Sequence, residues 1–504
     1  MATLTTLPTR PPASGKPQHR ELSDSMDRVR DELEKVRSKP TEENVHDLRV
    51  AIRRCRSVAA VFEEIDPDDS WREMRRKARK LFRALGALRD GHVLADWVKK
   101  LAAEDEVVRK HLHEQMDVDE PELLKEVEKA AGKFDDKAWK RLRQRLRRRV
   151  RYIPVGGLAA ECLARERFEE IKQLHLVALR TEKAKPWHAL RIVLKKFRYT
   201  VETLLPEHHA AWSSDLKRLQ DLLGDIHDLD VLGARVTAET ESDAPSRVVW
   251  REKLQRERDE RVQTYRQLTL GRTSIWNKWS HALPHGERLE AASFARLQAT
   301  ARATQSKPRK VARISLRIFE LLRRLKALPV FGEANMRRNL RASALLHAIG
   351  NDEKHPPRAA RKFLLAMQAP PRWTRDQWEL VAWAVRFHRG AEPAEDDGAF
   401  GKLPAAARQH VRALAGVVRL GRAVHKSGID SPVGFKIEVT PEIVTLFIPN
   451  LVDSLENAAR LAAGKHLLET VLGVPLVVRA AVAKVVTLEE TPREVLFATA
   501  VGSD

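Results

Sequence analysis

The chain has 504 residues, room for about three domains of ordinary size, each with its own core. Apolar residues make up 43%, with only 22 Gly and 25 Pro, which excludes a collagen-like or wholly disordered polypeptide. Lys and Arg number 92 against 70 Asp and Glu, and the formal charge of +22 favours a negatively charged partner. Two cysteines, Cys55 and Cys162, are too few for a disulfide framework or a Cys-based zinc site. They predict a reducing, cytoplasmic setting.

Residues 1–20 read as a loose tail: Pro8, Pro11, Pro12 and Pro17 stand among Thr and Ser, without the apolar core of a secretory signal. From Glu21 to about residue 430, apolar positions recur at intervals of three and four among Lys, Arg and Glu, which predicts a long succession of helices. Breaks rich in Pro or Asp are expected at residues 66–70, 117–122, 153–157 and 241–246. Pro308 opens a further helical block. After Gly428 the period shortens: Phe435, Ile437 and Val439, then Ile443, Val444, Leu446 and Ile448, flank Thr440, Pro441 and Glu442 as a β-hairpin. No apolar run reaches the 18 or so residues of a membrane span, so no membrane association is expected.

The most informative feature is an internal duplication. His46, Arg49, Arg53, Arg54 and Arg56 recur as His188, Arg191, Lys195, Lys196 and Arg198 at a constant spacing of 142 residues. Further on, Arg79-Lys80 and the Leu85-Gly86 to Asp90 stretch, read as a turn, are answered by Lys217-Arg218 and Leu223-Gly224 to Asp228. Two similar helical bundles follow.

At about 100° per residue, His46, Arg49, Arg53 and Arg56 share one narrow stripe of a helix. Val45, Leu48, Ile52, Cys55 and Ala59 form the apolar stripe beside it. His188, Arg191, Lys195 and Arg198 repeat the layout, whereas Arg54 and Lys196 lie off it. Like charges three and four residues apart repel by a few tenths of a kcal/mol per pair, and an anion between the rows relieves them. A single basic stripe is ordinarily a solvated face. Two copies of it, with further basic helices at residues 72–83 and 137–151, exceed what solubility requires.

This doubled pattern, H-x-x-R-x-x-x-[RK]-[RK]-x-R followed by a basic helix and L-G-x-x-x-D, resembles the CHAD domain, the histidine-containing α-helical domain. The resemblance implies two four-helix bundles related by pseudo-twofold symmetry, lining a groove for inorganic polyphosphate. By this resemblance the ligand contacts come from His46, Arg49, Arg53, Arg56, Arg79, Lys80, Arg83, His188, Arg191, Lys195, Arg198, Lys217 and Arg218. Polyphosphate is a flexible anion without bases, suited to a lane of guanidinium forks. The alternative partner is nucleic acid. Single-strand binders interleave aromatics with cations, yet the two motif stretches contribute only Phe197, with Tyr199 just beyond.

In the second half, the segments around His347, His355 and His388, and residues 414–420, resemble the α-helical HD domain at the C-terminal end of the exopolyphosphatase and guanosine pentaphosphatase family. Such enzymes hold a metal with histidines, a His-Asp doublet and a distal Asp. Here the doublet is His347-Ala348, the distal acidic positions hold Arg422 and His425, and the first histidine's place falls near Lys307. A catalytic metal is therefore not expected. Two alternatives remain for His347, His355 and His388: an unorthodox zinc site or separate structural histidines. No phosphate-binding Gly-rich loop or nucleophile elbow occurs.

The expected fold is mainly α: a tail (1–20), a CHAD domain (21–285, repeats at about 21–135 and 158–285), a linker (286–307), an HD-like helical domain (308–430) and a small α+β subdomain with a tail (431–504). The expected function is non-enzymatic polyphosphate binding, without cofactor or metal, on cytoplasmic polyphosphate granules. The alternatives are nucleic-acid binding and a metal-dependent phosphohydrolase in the HD-like part.

Overall fold

In a computed structural model, residues 18–481 are described apart from 67, 102–106, 182, 239–243, 304–307, 325–328, 350–354, 368 and 395–397. Most of the predicted tail, Lys307 and residues 482–504 lie outside the described residues. The chain divides into two units, one of Met1–Arg309 with Arg341–Gly401, the other of Lys310–Leu340 with Lys402–Asp504.

The first unit is built from the duplicated block. Helices α1 (Gln18–Ser38), α2 (Glu42–Glu63), α3 (Asp69–Lys77), α4 (Arg79–Leu101), α5 (Val107–Gly132) and α6 (Asp136–Arg149) form copy 1. Copy 2 repeats the order with α7 (Gly157–Thr181), α8 (Ala184–Leu204), α9 (Pro206–Ala238), α10 (Ala244–Thr269) and α11 (Ile275–Ala282), the single helix α9 spanning the positions of both α3 and α4. Thr41 starts α2 by accepting a hydrogen bond from the Asn44 amide, and Glu42 and Glu43 complement the positive end of the helix. The expected apolar stripe is buried: Val45, Leu48, Ile52, Cys55 and Ala59 are each 0–1% exposed. On α8 the same register buries Trp187, Leu190, Leu194, Phe197 and Val201. These faces join one continuous core shared by the two copies, in which α2 packs directly on α8. Apolar burial at about 25 cal/mol per Å² therefore fixes the direction in which both basic stripes face.

Three local readings are corrected. The break expected at residues 117–122 is absent, because α5 runs through Pro121. A proline removes one helical hydrogen bond, and burial of Val127 and Ala131 secures the turns that follow. The stretches Leu85 to Asp90 and Leu223 to Asp228, read as turns, are helix interior in α4 and α9. Their glycines weaken helix propensity by about 1 kcal/mol each, but Leu85, Leu88, Leu223 and Ile226 are buried and hold the helix. Residues 286–303, read as part of a linker, form α12 (Gly286–Ala303), which packs on α7. Buried Arg296 of α12 pairs with Glu166 of α7, and its second nitrogen lies 3.6 Å from Glu64.

Beyond α12 come α13 (Pro308–Arg324), α14 (Pro329–Gly332), α15 (Met336–Leu346), α16 (Pro356–Ala366), α17 (Arg375–Phe387), α18 (Gly398–Gly401) and α19 (Ala405–Lys426). Residues 341–401 are grouped with the first unit and are tied to α12 by named contacts. Ser293 donates to Pro371 O at 3.2 Å, and the Phe294 and Trp373 rings meet edge-on at 5.4 Å.

In the second unit α19 packs on α20 (Leu455–Leu472), where Gly464 permits close approach: a Cβ there would lie 2.5 Å from Ala423 Cβ. The predicted hairpin is present as β1 (Lys436–Val439) and β2 (Val444–Ile448), antiparallel with Val439 opposite Val444. β3 (Leu476–Ala480) adds to β2 in parallel. Among the described residues no helix is long and apolar enough to cross a membrane.

Candidate anion-binding cavity

A cavity of about 730 Å³ opens between α2 and α8 in the first unit. Arg53 and Arg56 of α2 line it with Arg191, Lys195 and Lys196 of α8, together with Phe82 and Tyr199. Two residues of each duplicated row thus meet at one place, while Arg49, His188 and Arg198 are not part of the lining. Their proximity is also electrostatic: burial, then the cations Arg53, Arg191, Arg49 and Arg198, push the Lys195 ammonium down from 10.5 to about 8. Arg49 is pushed down by burial and by Arg53, Arg89 and Arg191, against the pull of Asp90. None of Arg53, Arg191 and Lys195 takes part in a salt bridge or side-chain hydrogen bond among the described residues. Such a cluster of facing cations, partly removed from water, is stabilised by an anion that bridges them.

Each row is held in its own way. In copy 1 the Arg49 and Arg56 guanidiniums stand 5.1 and 4.6 Å from the centre of the Phe82 ring. Arg49 also pairs with Asp90 at 3.2 Å and lies across Gly86, where a Cβ would come within 2.6 Å of Nη1. In copy 2 the counterpart of Phe82 is Gln220, whose amide oxygen accepts from Arg198 at 2.8 Å. Gly224 has nothing within 4 Å of a Cβ. His188 and His227 face each other, Nδ1 to Nδ1 at 3.2 Å, so that one ring donates and the other accepts. Burial, then Arg191 and His188, push His227 down to about 4. Burial pushes the Asp228 carboxyl up to about 6, with Asp225 and Asp90 adding to the rise and Arg191 opposing it.

Not every candidate residue reaches the cavity wall. Arg79 and Arg83 are exposed on α4 and bear electrostatically on Arg56. His46, Lys80, Lys217 and Arg218 are exposed and do not line the cavity. Arg54 points to Glu202 at 3.7 Å, in keeping with its place off the stripe, whereas Lys196 does line the cavity. The sequence reading missed Phe82 and Arg167, and took Gly86 only as part of a turn. Phe82 and Gly86 carry a readable signal, because they stand opposite Gln220 and Gly224 in the repeat.

The other half of the lining is different in kind. Glu63 and Glu64 lie there, each neutralised: Arg72 pairs with Glu63 at 3.0 Å, Arg75 with the other Glu63 oxygen, and Arg167 with Glu64. Phe363, Ala366 and Met367 supply apolar surface.

Elsewhere, the His347 and His388 rings are buried 5.4 Å apart, and each Nδ1 donates to a carbonyl one turn back, on Ala344 and Val385. His355 is exposed. Among the described residues, no three His, Cys, Asp or Glu are grouped to hold a metal. Cys55 and Cys162 are buried free thiols, and burial pushes Cys55 up to about 12.

The chain is mainly helical, and basic residues of its two duplicated helices line one cavity. The CHAD domain family model matches residues 21–237, which makes that segment similar to the CHAD family through the end of α9. No family match supports the HD-like reading of residues 308–430. No curated protein matches the chain.

Proposed function

We propose that this protein binds inorganic polyphosphate in the cavity between α2 and α8 without chemical turnover, and that binding places it on polyphosphate granules. The observation that carries the reading is the convergence of Arg53, Arg56, Arg191 and Lys195 on one space, with Arg53, Arg191 and Lys195 lacking a carboxylate within salt-bridge distance. The CHAD match over the same helices supports it, as a similarity in general to polyphosphate-binding domains. Guanidinium groups bind phosphate oxygens in a bidentate manner, and a lane of them suits a repeating anion. A nucleic acid would require stacking platforms. Three aromatic rings line the cavity, and Phe82 is already taken by Arg49 and Arg56, which leaves Tyr199 and Phe363.

The test is a titration of long-chain polyphosphate against the wild type and a variant with Arg49, Arg53, Arg191 and Lys195 replaced by Ala. Each lost phosphate contact should weaken binding and flatten its salt dependence, and about a hundredfold loss is expected for the four together. Equal affinities defeat the proposal. So does RNA or DNA outcompeting polyphosphate at matched charge concentration. Incubation of the protein with polyphosphate and Mn²⁺ or Zn²⁺ should release no phosphate; release that is lost on His347→Ala would favour the phosphohydrolase alternative.

A further inference from the structure

We infer that the outward face of α6 is a second binding surface, which holds the part of a long polyphosphate chain that leaves the cavity over α3. The inference rests on the polyphosphate reading above and extends the contact beyond the duplicated helices.

Helix α6 sorts its charges by side. At about 100° per residue, Lys137, Lys140, Arg141, Arg147 and Arg148 fall within an arc of about 120°, and all are exposed, as is Arg151 just beyond the helix. Trp139, Leu142 and Leu146 are buried on the other side. The carboxylates that border the helix go to other cations. Asp27, Asp66 and Asp68 pair with Arg143, Arg149 and Arg145 on its flanks, and Asp135 and Asp136 at its start pair with Lys77 and Arg37. None of the outward cations forms a salt bridge or side-chain hydrogen bond among the described residues. Lys137 and Arg141, like Arg147 and Arg151, stand four residues apart and repel, whereas an ordinary solvated face intersperses both signs. An anion lying along the face relieves that repulsion. Copy 2 has no such face at its end: the one Lys or Arg of α11 is Lys278, which pairs with Asp215 at 2.9 Å.

Helix α3 links this face to the cavity. Arg72 and Arg75 of α3 line the cavity, and the Arg72 side chain is 66% exposed, so the lining reaches solvent there. The same helix packs on α6, with Lys77 at 3.0 Å from Asp135 and Asp68, at the start of α3, at 3.4 Å from Arg145. Packed helices stand about 8–10 Å apart, so the way from Arg72 to α6 is one helix wide. Arg76 is exposed along it, against Glu73 and an Asp69 already paired with Arg72. A cavity of about 730 Å³ holds only a short piece of a long polymer, and the remainder must lie outside. Once one segment is seated, a second contact by the same chain is intramolecular and gains from the high effective concentration. The other exposed residue within the α6 arc is Gln144, so the face offers no ring to stack a base and no apolar side chain to enter a lipid surface. A repeating anion without bases fits it.

Two variants of equal charge test this beside the wild type, with tripolyphosphate and a long chain as probes. One replaces Lys137, Arg141, Arg148 and Arg151 with Gln. The control replaces Arg180, Arg251, Arg256 and Arg272, exposed cations of copy 2 outside the cavity lining, in the same way. At physiological salt the α6 variant should bind the long chain about tenfold more weakly or worse, and its slope of log affinity against log salt should fall by about three. It should bind tripolyphosphate as the wild type does, because the cavity is intact. The control should lose less than about threefold on either probe, since distant exposed charges are screened. Unchanged long-chain affinity, equal loss in the two variants, or equal loss of both probes in the α6 variant overturns the inference and leaves binding in the cavity standing. So does duplex DNA that the wild type binds and the α6 variant does not, with long-chain polyphosphate unaffected. Wild-type protein that binds neither polyphosphate defeats the functional reading itself.

Discussion

The two copies of the duplicated unit present the same basic positions but support them by different means. In copy 1, Arg49 and Arg56 share the Phe82 ring, and Arg49 is braced by Asp90 and seated on Gly86. In copy 2 the central position is a lysine, Arg198 is held by Gln220, and a pair of histidines and a protonatable Asp228 lie behind Arg191. Copy 1 is thus a permanently charged platform, since guanidinium does not lose its proton in proteins. Copy 2 carries groups whose charge changes within a few pH units of neutrality. Duplication conserves where charge is displayed, while the surrounding residues set whether that charge can be switched.

Removing one row at a time is the severest test of this contrast. Replacing Arg49, Arg53 and Arg56 with Ala should weaken polyphosphate binding by roughly thirtyfold or more and reduce the slope of log affinity against log salt by about two to three. The matching variant of Arg191, Lys195 and Arg198 should match it at pH 7 and lose less at pH 9, where Lys195 of the unliganded wild type is largely neutral. An identical ratio of the two variants at both pH values would break the distinction between the rows.

The pH profile of the wild type sharpens it. Lys195 binds anions in its protonated form, and an anion raises its pKa, so affinity should fall as pH rises through about 8. A decline of about fivefold to tenfold between pH 7 and 10 is expected, and Lys195→Arg should flatten it. The stability of the unliganded protein should move the other way. The folded-state pKa lies below the ordinary 10.5, so between about 8 and 10.5 the unfolded chain binds more protons, and stability rises with pH across that window. At the acidic end, Asp228 loses its charge beside Arg191 below about 6, which should strengthen anion binding. Asp228→Asn should abolish that increment, as measured by titration at pH 5 and 7.

Phe82 and Gln220 provide a smaller effect. A cation over an aromatic ring contributes about 0.5–1 kcal/mol, and Phe82 serves two guanidiniums. Phe82→Leu keeps the apolar packing and should weaken binding by roughly fivefold. Gln220→Leu removes one hydrogen bond from Arg198 and should cost about threefold or less.

Much of this was legible in the sequence because it is periodic. The basic and apolar stripes of α2 and α8 follow from helical spacing alone, and the alternation around Thr440 foretold the pairing of β1 with β2. What escaped depends on contacts far apart in the chain. Met367 meets Arg53 and Lys195 in one cavity only because α12 docks on α7 and carries residues 371–373 with it. No local pattern in residues 286–303 or 363–367 announces that arrangement. Gly86 and Gly224 were visible but misread, since glycine inside a helical pattern reads as punctuation when its tertiary reason is unseen.

Those two glycines give the finest probe of the comparison, because one substitution has opposite meanings in the two copies. Both lie inside long helices, where exchanging Gly for Ala ordinarily stabilises by about 0.5–1 kcal/mol. At Gly224 nothing lies within 4 Å of the new methyl, so Gly224→Ala should raise the melting temperature and leave polyphosphate affinity unchanged. At Gly86 the methyl would meet the Arg49 guanidinium at 2.6 Å. That guanidinium is the far end of a flexible side chain, so it can swing away with little loss of stability, but it then leaves both Phe82 and Asp90. Gly86→Ala should therefore keep or slightly raise the melting temperature while weakening binding by roughly threefold. Addition of Arg49→Ala to Gly86→Ala should cause less further loss of affinity than Arg49→Ala causes alone, because both act through the same guanidinium. Full additivity of the two would separate Gly86 from Arg49 and leave the tight approach in copy 1 without a role in binding.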